Sequence, residues 1–235
     1  MKCHSSLGPM RPGHVHVWVV PLRGRILPGM FRDGLTHSER RTARSYVDAA
    51  ARTGYLASRF AGRKLASHYT GERGRDIELR KNETGQPRLV RPRGKRRYPV
   101  HVSVSHCVHS VALAFSRTAR IGVDIDSIRD SPAFSLALTR HFQASERALT
   151  SPLQVWECWT RKEALLKALG TGLQGLATLP PLPSDENIVH VEHARWLVVS
   201  LPPPTNCALA CAAEGGPWNV TLFALDSFTR FLRRR

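Results

Sequence analysis

Ile121-Gly122-Val123-Asp124-Ile125-Asp126 and Trp159-Thr160-Arg161-Lys162-Glu163-Ala164-Leu165-Leu166-Lys167 are the two stretches from which the rest of the chain is most readily read. The first is a short apolar strand that ends in acidic residues. Side chains alternate across a strand, so Asp124 and Asp126 share one side while Ile125 points into the core. The second stretch lies in a helix punctuated at both ends. Ser151 is its N-cap with Gln154 at N3, Pro152 takes N1, and Gly170 follows the last apolar residue as C′. A turn of about 100° per residue gathers Val155, Cys158, Leu165, Leu166 and Leu169 into an arc predicted to face the core. Trp156, Trp159, Thr160, Glu163 and Lys167 take the opposite arc. Glu163 and Lys167 are an (i, i+4) pair, which on an open surface is an ordinary salt bridge, but two tryptophans on that arc predict a half-buried cleft. Lys162 falls inside the apolar arc, where it must snorkel or reach a buried anion.

Two carboxylates side by side repel unless a cation or basic group sits between them. With Glu163 nearby, Asp124 and Asp126 offer the all-oxygen ligand set that Mg²⁺ uses, with room left for water and phosphate oxygens. Taken alone, a DxD at a strand end is as often a turn or a cap. Joined to Glu163 and Lys167, it suits metal-assisted phosphate chemistry.

Working outward, His14 to Val20 first alternates and then turns wholly apolar, the pattern of a strand entering a core. Thr36-His37-Ser38-Glu39 is a capping box, so a helix begins near His37 and is predicted to run past Tyr46 toward Ala51. Gly54 is predicted to interrupt or bend a second helical stretch ending near His68. Between Gly71 and Pro99 the pattern breaks into turns, with the basic run Arg91-Pro92-Arg93-Gly94-Lys95-Arg96-Arg97 reading as a solvated loop or, alternatively, a nucleic-acid patch. His101 to Ser105 and Ser110 to Phe115 form a hairpin. Beyond Ile125 come a helical stretch from Phe134 to His141, the helix from Ser151, a Pro-rich link from Leu179 to Pro183, and strands over Val189 to Leu201, Ala208 to Ala213 and Val220 to Ala224. Arg230 to Arg235 reads as a frayed tail. Each half carries helices and a few antiparallel-type strands. The expectation is an α+β chain of two lobes, 1–119 and 120–235, with helices packed on a small antiparallel sheet in each and the active site in the cleft between them.

Bulk properties agree with an intracellular globular protein. The chain has 235 residues, enough for one large domain or two small ones. Its five cysteines are scattered without CxxC spacing, which argues against a zinc site or a disulfide framework. The N-terminus lacks the apolar stretch of a secretory signal, and no apolar run approaches the length of a membrane span. Net charge is +17, from 35 Lys+Arg against 18 Asp+Glu. That field attracts polyanions, whether nucleic acid, a phosphate-rich cofactor or an acidic protein, although a high-GC genome also enriches arginine.

Three features are set aside. Gly170-Thr171-Gly172-Leu173-Gln174-Gly175 matches GxGxxG but follows a helix, where a dinucleotide fingerprint must follow a strand. Ser105 and His106 are strand neighbours on opposite faces, so they cannot be nucleophile and base for each other. His14 and His16 have no evident third ligand, and a structural role fits them better.

Taken together, Gly85-Gln86-Pro87, Val102-Ser103-Val104-Ser105-His106, Ile121 to Asp126, Phe142 to Glu146 as FxxxE, Trp159 to Lys167, and Gly170-Thr171-Gly172-Leu173 resemble the ordered motifs of the 4′-phosphopantetheinyl transferases of the surfactin-synthetase-activating type. The resemblance covers Leu35 to Leu173. It implies a cytoplasmic monomer with pseudo-twofold lobes that moves the phosphopantetheine arm of coenzyme A to a serine of an acyl or peptidyl carrier domain, releasing adenosine 3′,5′-bisphosphate. It also implies Mg²⁺, or Mn²⁺, held by Asp124, Asp126 and Glu163, with Glu163 or a metal-bound water as base and Lys167 on an α-phosphate oxygen or the leaving group. His106, with Arg44 or its neighbours Arg52 and Arg59, corresponds to the family's 3′-phosphate ligands, with Ser105 beside them. Gly85, Gln86 and Pro87 would meet the adenine, and Lys162 is a further coenzyme A contact. One departure stands out: the family usually has Glu where this chain has Asp126, one methylene shorter. The basic surface then has two clients, coenzyme A and the acidic helix of a carrier. A basic nucleic-acid-binding protein without catalysis is the competing reading, and it has no use for acids in its cleft.

Overall fold

The structure is a computed structural model describing residues 10–22, 34–91, 97–129, 131, 136, 138–182 and 187–225. Ten strands are described: β1 (His14–Pro21), β2 (Glu78–Lys81), β3 (Pro87–Val90), β4 (Arg97–His106), β5 (Ser110–Ser116), β6 (Ile121–Ser127), β7 (Ile188–Val191), β8 (Ala194–Ser200), β9 (Cys207–Glu214) and β10 (Asn219–Ala224). With them come helices α1 (His37–Arg44), α2 (Ala49–Thr70) and α3 (Pro152–Leu169). One sheet has the order β10-β1-β5-β4-β3-β2 and the other β6-β9-β8-β7.

Alternation along the strands stacks these parts. On β1, Trp18 and Val20 join Leu113, Phe115 and Val102 in a core shared with Leu56, Ala61 and Leu65 of α2. Val15, Val17 and Val19 point the other way, against Val123 and Ile125 of β6 and Leu209 and Cys211 of β9. The far face of the second sheet, with Ala210, Ala212 and Val198, packs on Ala164, Leu165 and Ala168 of α3. The layers therefore run α2, first sheet, second sheet, α3. β1 is apolar on both faces because it lies between two of these cores. His16 and Trp18 both bond the Tyr69 hydroxyl, at 3.0 and 2.7 Å, which gives His16 a structural role.

Two contacts fix the parts that carry chemistry. The Val123 N–H donates to Ser103 Oγ at 3.0 Å, joining β6 of one sheet to β4 of the other. A Cβ on Gly122 would stand 1.8 Å from the Ala164 carbonyl oxygen, so the glycine of Ile121-Gly122-Val123 lets α3 lie directly on β6. The helix and the acidic strand end are thereby brought together.

The helical punctuation read from the sequence is present. Thr36 and Glu39 form the capping box, Ser151 caps α3 with Pro152 following it, and Gly170 ends the helix at φ 81°. Several boundaries differ. The first helix stops at Arg44, and α2 starts afresh because the Asp48 side chain accepts from Ala51 N–H at 2.6 Å, an N-cap the apolar pattern hides. Gly54 does not break α2, which runs through it unbroken. The turn-rich stretch after Gly71 contains the hairpin β2–β3, closed at Asn82–Gln86. Val189 to Leu201 is a hairpin rather than one strand, since Glu192 and His193 take φ of 51° and 63° without glycine. The first sheet is not wholly antiparallel: β10 returns from the far end of the chain to pair in parallel with β1. Most of the basic run at 91–97, the tail at 230–235 and part of the stretch at 134–141 lie outside the described residues. Among the described residues, no helix is long and apolar enough to cross a membrane.

Candidate active site

The acidic strand end and α3 meet at Asp124. Its Oδ1 accepts from Lys167 Nζ at 2.6 Å and from Ser105 Oγ at 2.7 Å, and Lys167 also donates to Ser105 at 2.9 Å. Three elements, β4, β6 and α3, thus each give one corner of a closed triangle. Asp124 is buried, with 6% of its surface exposed, while the Lys167 side chain is 31% exposed. The lysine forms the outer surface and the aspartate lies behind it. Asp126, two residues along the same strand face, accepts from Ser127 N–H at 2.7 Å and stands 3.9 Å from Arg129.

Glu163 lies one turn before Lys167. Burial pushes its carboxyl above the ordinary glutamate value, Asp124 and Asp126 push it further, and Lys167 pulls it back. Asp126 is also raised, chiefly by burial and then by Asp124 against the pull of Ser127, Arg129 and Lys167. The three carboxylates therefore share one electrostatic environment. Among the described residues, however, no three His, Cys, Asp or Glu side chains converge closely enough to hold an ion as they stand. The donor chemistry fits a hard divalent cation, and the partner now on Asp124 is an ammonium.

Glu163 and Lys167 open onto a cavity of about 500 Å³. Its other walls carry Arg59, Lys81, Arg88, Arg120, His101 and His106, with Tyr46 and Tyr55 at one side and Gly85 to Pro87 facing Gly170 and Leu173. His106 is pushed below the usual histidine value, first by desolvation and then by the charges of Lys167 and Arg59, with Asp124 opposing. Its ring fits because Gly54 of α2 has no side chain: a Cβ there would lie 2.4 Å from His106 Cδ2. A cavity with the Glu163 carboxylate and the Lys167 ammonium at one wall and guanidinium groups around it suits a ligand carrying several phosphates.

A protein-family model described as the 4′-phosphopantetheinyl transferase superfamily matches residues 120–210, the segment that holds Asp124, Asp126, Glu163 and Lys167. Over 217 residues the chain is 25% identical to the 4′-phosphopantetheinyl transferase HetI of Nostoc sp. (strain PCC 7120 / SAG 25.82 / UTEX 2576), covering 87% of this chain and 89% of that protein. Over 184 residues it is also 25% identical to slr0495, a candidate 4′-phosphopantetheinyl transferase of Synechocystis sp. (strain ATCC 27184 / PCC 6803 / Kazusa), covering 75% and 72%. Across residues 120–210 the chain is thus similar to the 4′-phosphopantetheinyl transferase superfamily, and over most of its length to two proteins that carry that name.

Not every residue named from the sequence reaches the cavity. Glu163, Lys167, His106, Arg59 and Gly85 to Pro87 line it, and Asp124 and Ser105 lie behind Lys167. Arg44 is exposed on the last turn of α1 and is not among the lining residues. Arg52 reaches the Tyr46 carbonyl at 2.8 Å instead. Lys162 is fully buried on the other side of α3, 2.9 Å from Glu146, which also accepts from Gln143 and Leu182 N–H, both at 2.7 Å. Phe142 lies under the Lys162 ammonium, so FxxxE and Lys162 form one buried structural knot. Of the arc predicted to face a cleft, Trp156 and Thr160 are fully buried while Trp159, Glu163 and Lys167 are half-buried, because α3 is packed on more than one side.

Gln86 lines the cavity and has a structural part as well. Its amide donates to the carbonyls of Lys167 and Ala168 at 2.9 and 3.1 Å, and Gly170 leaves room for it. The β2–β3 turn thereby holds the end of α3. Sequence reading missed Lys81, Arg88, Arg120 and His101. The strands β2 and β3 that carry the first two were hidden by turn residues around them, and Arg120 gave no signal beyond standing next to Ile121.

Proposed function

We propose that the protein moves the 4′-phosphopantetheine group of coenzyme A to a serine hydroxyl of an acyl or peptidyl carrier domain, in a two-lobed, monomeric, cytoplasmic enzyme whose site lies between residues of 1–119 and 120–235. The observation that carries this reading is the single cavity bounded by Glu163 and Lys167 on one side and by Arg59, Lys81, Arg88, Arg120 and His106 on the others. Coenzyme A brings a 3′-phosphate and a pyrophosphate, and basic groups on several walls can hold both ends at once.

The carrier serine oxygen attacks the pantetheine-side phosphorus, forming one P–O bond as the bond to the bridging oxygen breaks and adenosine 3′,5′-bisphosphate leaves. Glu163 takes the serine proton; its raised proton affinity suits a base that must ionise near neutral pH and still accept a proton. Lys167 donates to the oxygens that gain charge as the anhydride opens. Arg59 and His106 hold the 3′-phosphate, and Gln86 keeps the last turn of α3 in register so that Glu163 and Lys167 stay aimed at the anhydride. Asp124, Asp126 and Glu163 would hold Mg²⁺ or Mn²⁺, which supplies charge neutralisation at the pyrophosphate when bound. An acidic carrier helix fits the +17 chain.

Incubation with coenzyme A, Mg²⁺ and a panel of apo carrier proteins tests this. Intact-mass spectra are expected to show one phosphopantetheinyl group added to at least one carrier; unmodified carriers throughout would contradict the reading.

A further inference from the structure

Asp124 Oδ1 already holds two donors, Lys167 Nζ and Ser105 Oγ, and Lys167 stands between that carboxylate and the cavity. Asp124 is buried while Lys167 is partly open, so a cation approaching from the cavity meets the ammonium first. The backbone beneath Lys167 is fixed, since Gln86 bonds the carbonyls of residues 167 and 168. The four-carbon stem of a lysine is flexible. An exchange of partners at Asp124 therefore needs motion of one side chain and none of the helix.

Resting on the divalent-cation reading above, we infer that Lys167 is a place-holding cation: its ammonium occupies the Asp124 oxygen in the free protein, and the divalent cation takes that oxygen as Lys167 swings into the cavity to meet the phosphates of a bound polyanion. The ion pair keeps a buried carboxylate from standing uncompensated before the substrate arrives. It also lowers the apparent affinity of the free protein for the metal, in proportion to the fraction of molecules in which Asp124 is already open. A polyanion in the cavity offers the released ammonium a new partner. Binding of polyanion and metal is then coupled through residue 167, with each favouring the other.

The same residue thus serves two states. In the free protein it neutralises Asp124; in the loaded one it meets phosphate oxygens. Glu163 and Asp126 feel Lys167 as an attractive charge, which places the ammonium within the field of all three carboxylates.

The test is Mn²⁺ titration of the full chain without coenzyme A, following free Mn²⁺ by electron paramagnetic resonance. Lys167→Met and, as a second variant, Lys167→Gln are expected to bind Mn²⁺ about tenfold tighter than the native chain, the population-shift factor of a ligand site freed from a competing partner. Arg129→Gln removes a cation from beside Asp126 without uncovering Asp124 and is expected to tighten binding by less than about threefold, the effect of a partly exposed charge. Equal affinity in the native chain and both Lys167 variants would overturn the inference while leaving the metal reading intact. So would an Arg129→Gln gain as large as that of Lys167→Met, since charge alone would then explain it. Failure of every variant to bind Mn²⁺ would overturn the inference and the metal reading together.

Discussion

The imidazole of His106 occupies the space that a side chain at position 54 would need, with Gly54 of α2 placed against it across the wall of the cavity. A glycine in mid-helix is less stable than alanine by about 1 kcal/mol, so its presence here serves the ring and not the helix. Gly54→Ala is expected to keep unfolding free energy within about 1 kcal/mol of the native value while raising KM for coenzyme A about tenfold, a loss of ~1.4 kcal/mol. Denaturant unfolding beside steady-state kinetics checks both halves, and an unchanged KM would contradict the role given to His106.

Arg59 and Arg44 differ in where they point. Arg59 lines the cavity, bonds the Leu79 carbonyl at 3.1 Å and lies over Tyr55, whereas Arg44 is exposed on α1. Loss of a charge-assisted bond to a phosphate removes about 1.5–3 kcal/mol. Arg59→Gln is therefore expected to weaken coenzyme A binding roughly tenfold or more, and Arg44→Gln to leave it unchanged, as read by calorimetric titration.

Glu163 combines a functional need with a stability penalty. Its folded-state pKa is raised, so the folded protein disfavours the ionised form that the unfolded chain accepts. The penalty is fully present above the raised value, shrinks as pH falls through it, and vanishes below the ordinary glutamate value. Glu163→Gln is expected to melt at higher temperature than the native chain at pH 7, to lose that advantage on acidification, and to transfer at least ~100-fold more slowly. Thermal melts across pH with parallel rate assays separate the two effects.

Lys162 is expected to matter for folding. Its ammonium and the Glu146 carboxylate are both buried, so removing one partner leaves the other uncompensated, at about 3–5 kcal/mol. Lys162→Met is expected to lose stability of that order in denaturant titration, whereas Lys162→Met with Glu146→Gln, which removes the unpaired charge and keeps an amide oxygen to accept from the Gln143 or Leu182 N–H, recovers part of it.

Local signals carried far along this chain. Ser151, Pro152 and Gly170 bound α3 as their chemistry requires, and alternation in Ile121 to Asp126 places both aspartates on one side because strand geometry leaves no other choice. Long-range packing was less legible. Nothing near Gly122 announces that the Ala164 carbonyl will press on it, and nothing near Gly54 announces His106. Helical phase alone put Trp156 and Thr160 on the arc of a half-buried cleft, but β6, β9 and the loop before α3 enclose that helix on several sides and bury both. Lys162 illustrates the middle ground: an apolar arc demanded a buried anion for it, and only the fold names Glu146. The parallel return of β10 to β1 joins residues from the two ends of the chain, a pairing no local pattern encodes.

The most direct measurement is intact-mass analysis of an apo carrier protein after incubation with coenzyme A and Mg²⁺, run side by side with the native chain and with Asp124→Ala. Asp124 is the point where β4, β6 and α3 converge, so its loss removes the anchor of Lys167 and a ligand of the cation together. The native chain is expected to add one phosphopantetheinyl group to the carrier and the variant to add none. Equal modification by both would contradict the assignment of the transfer chemistry to this site.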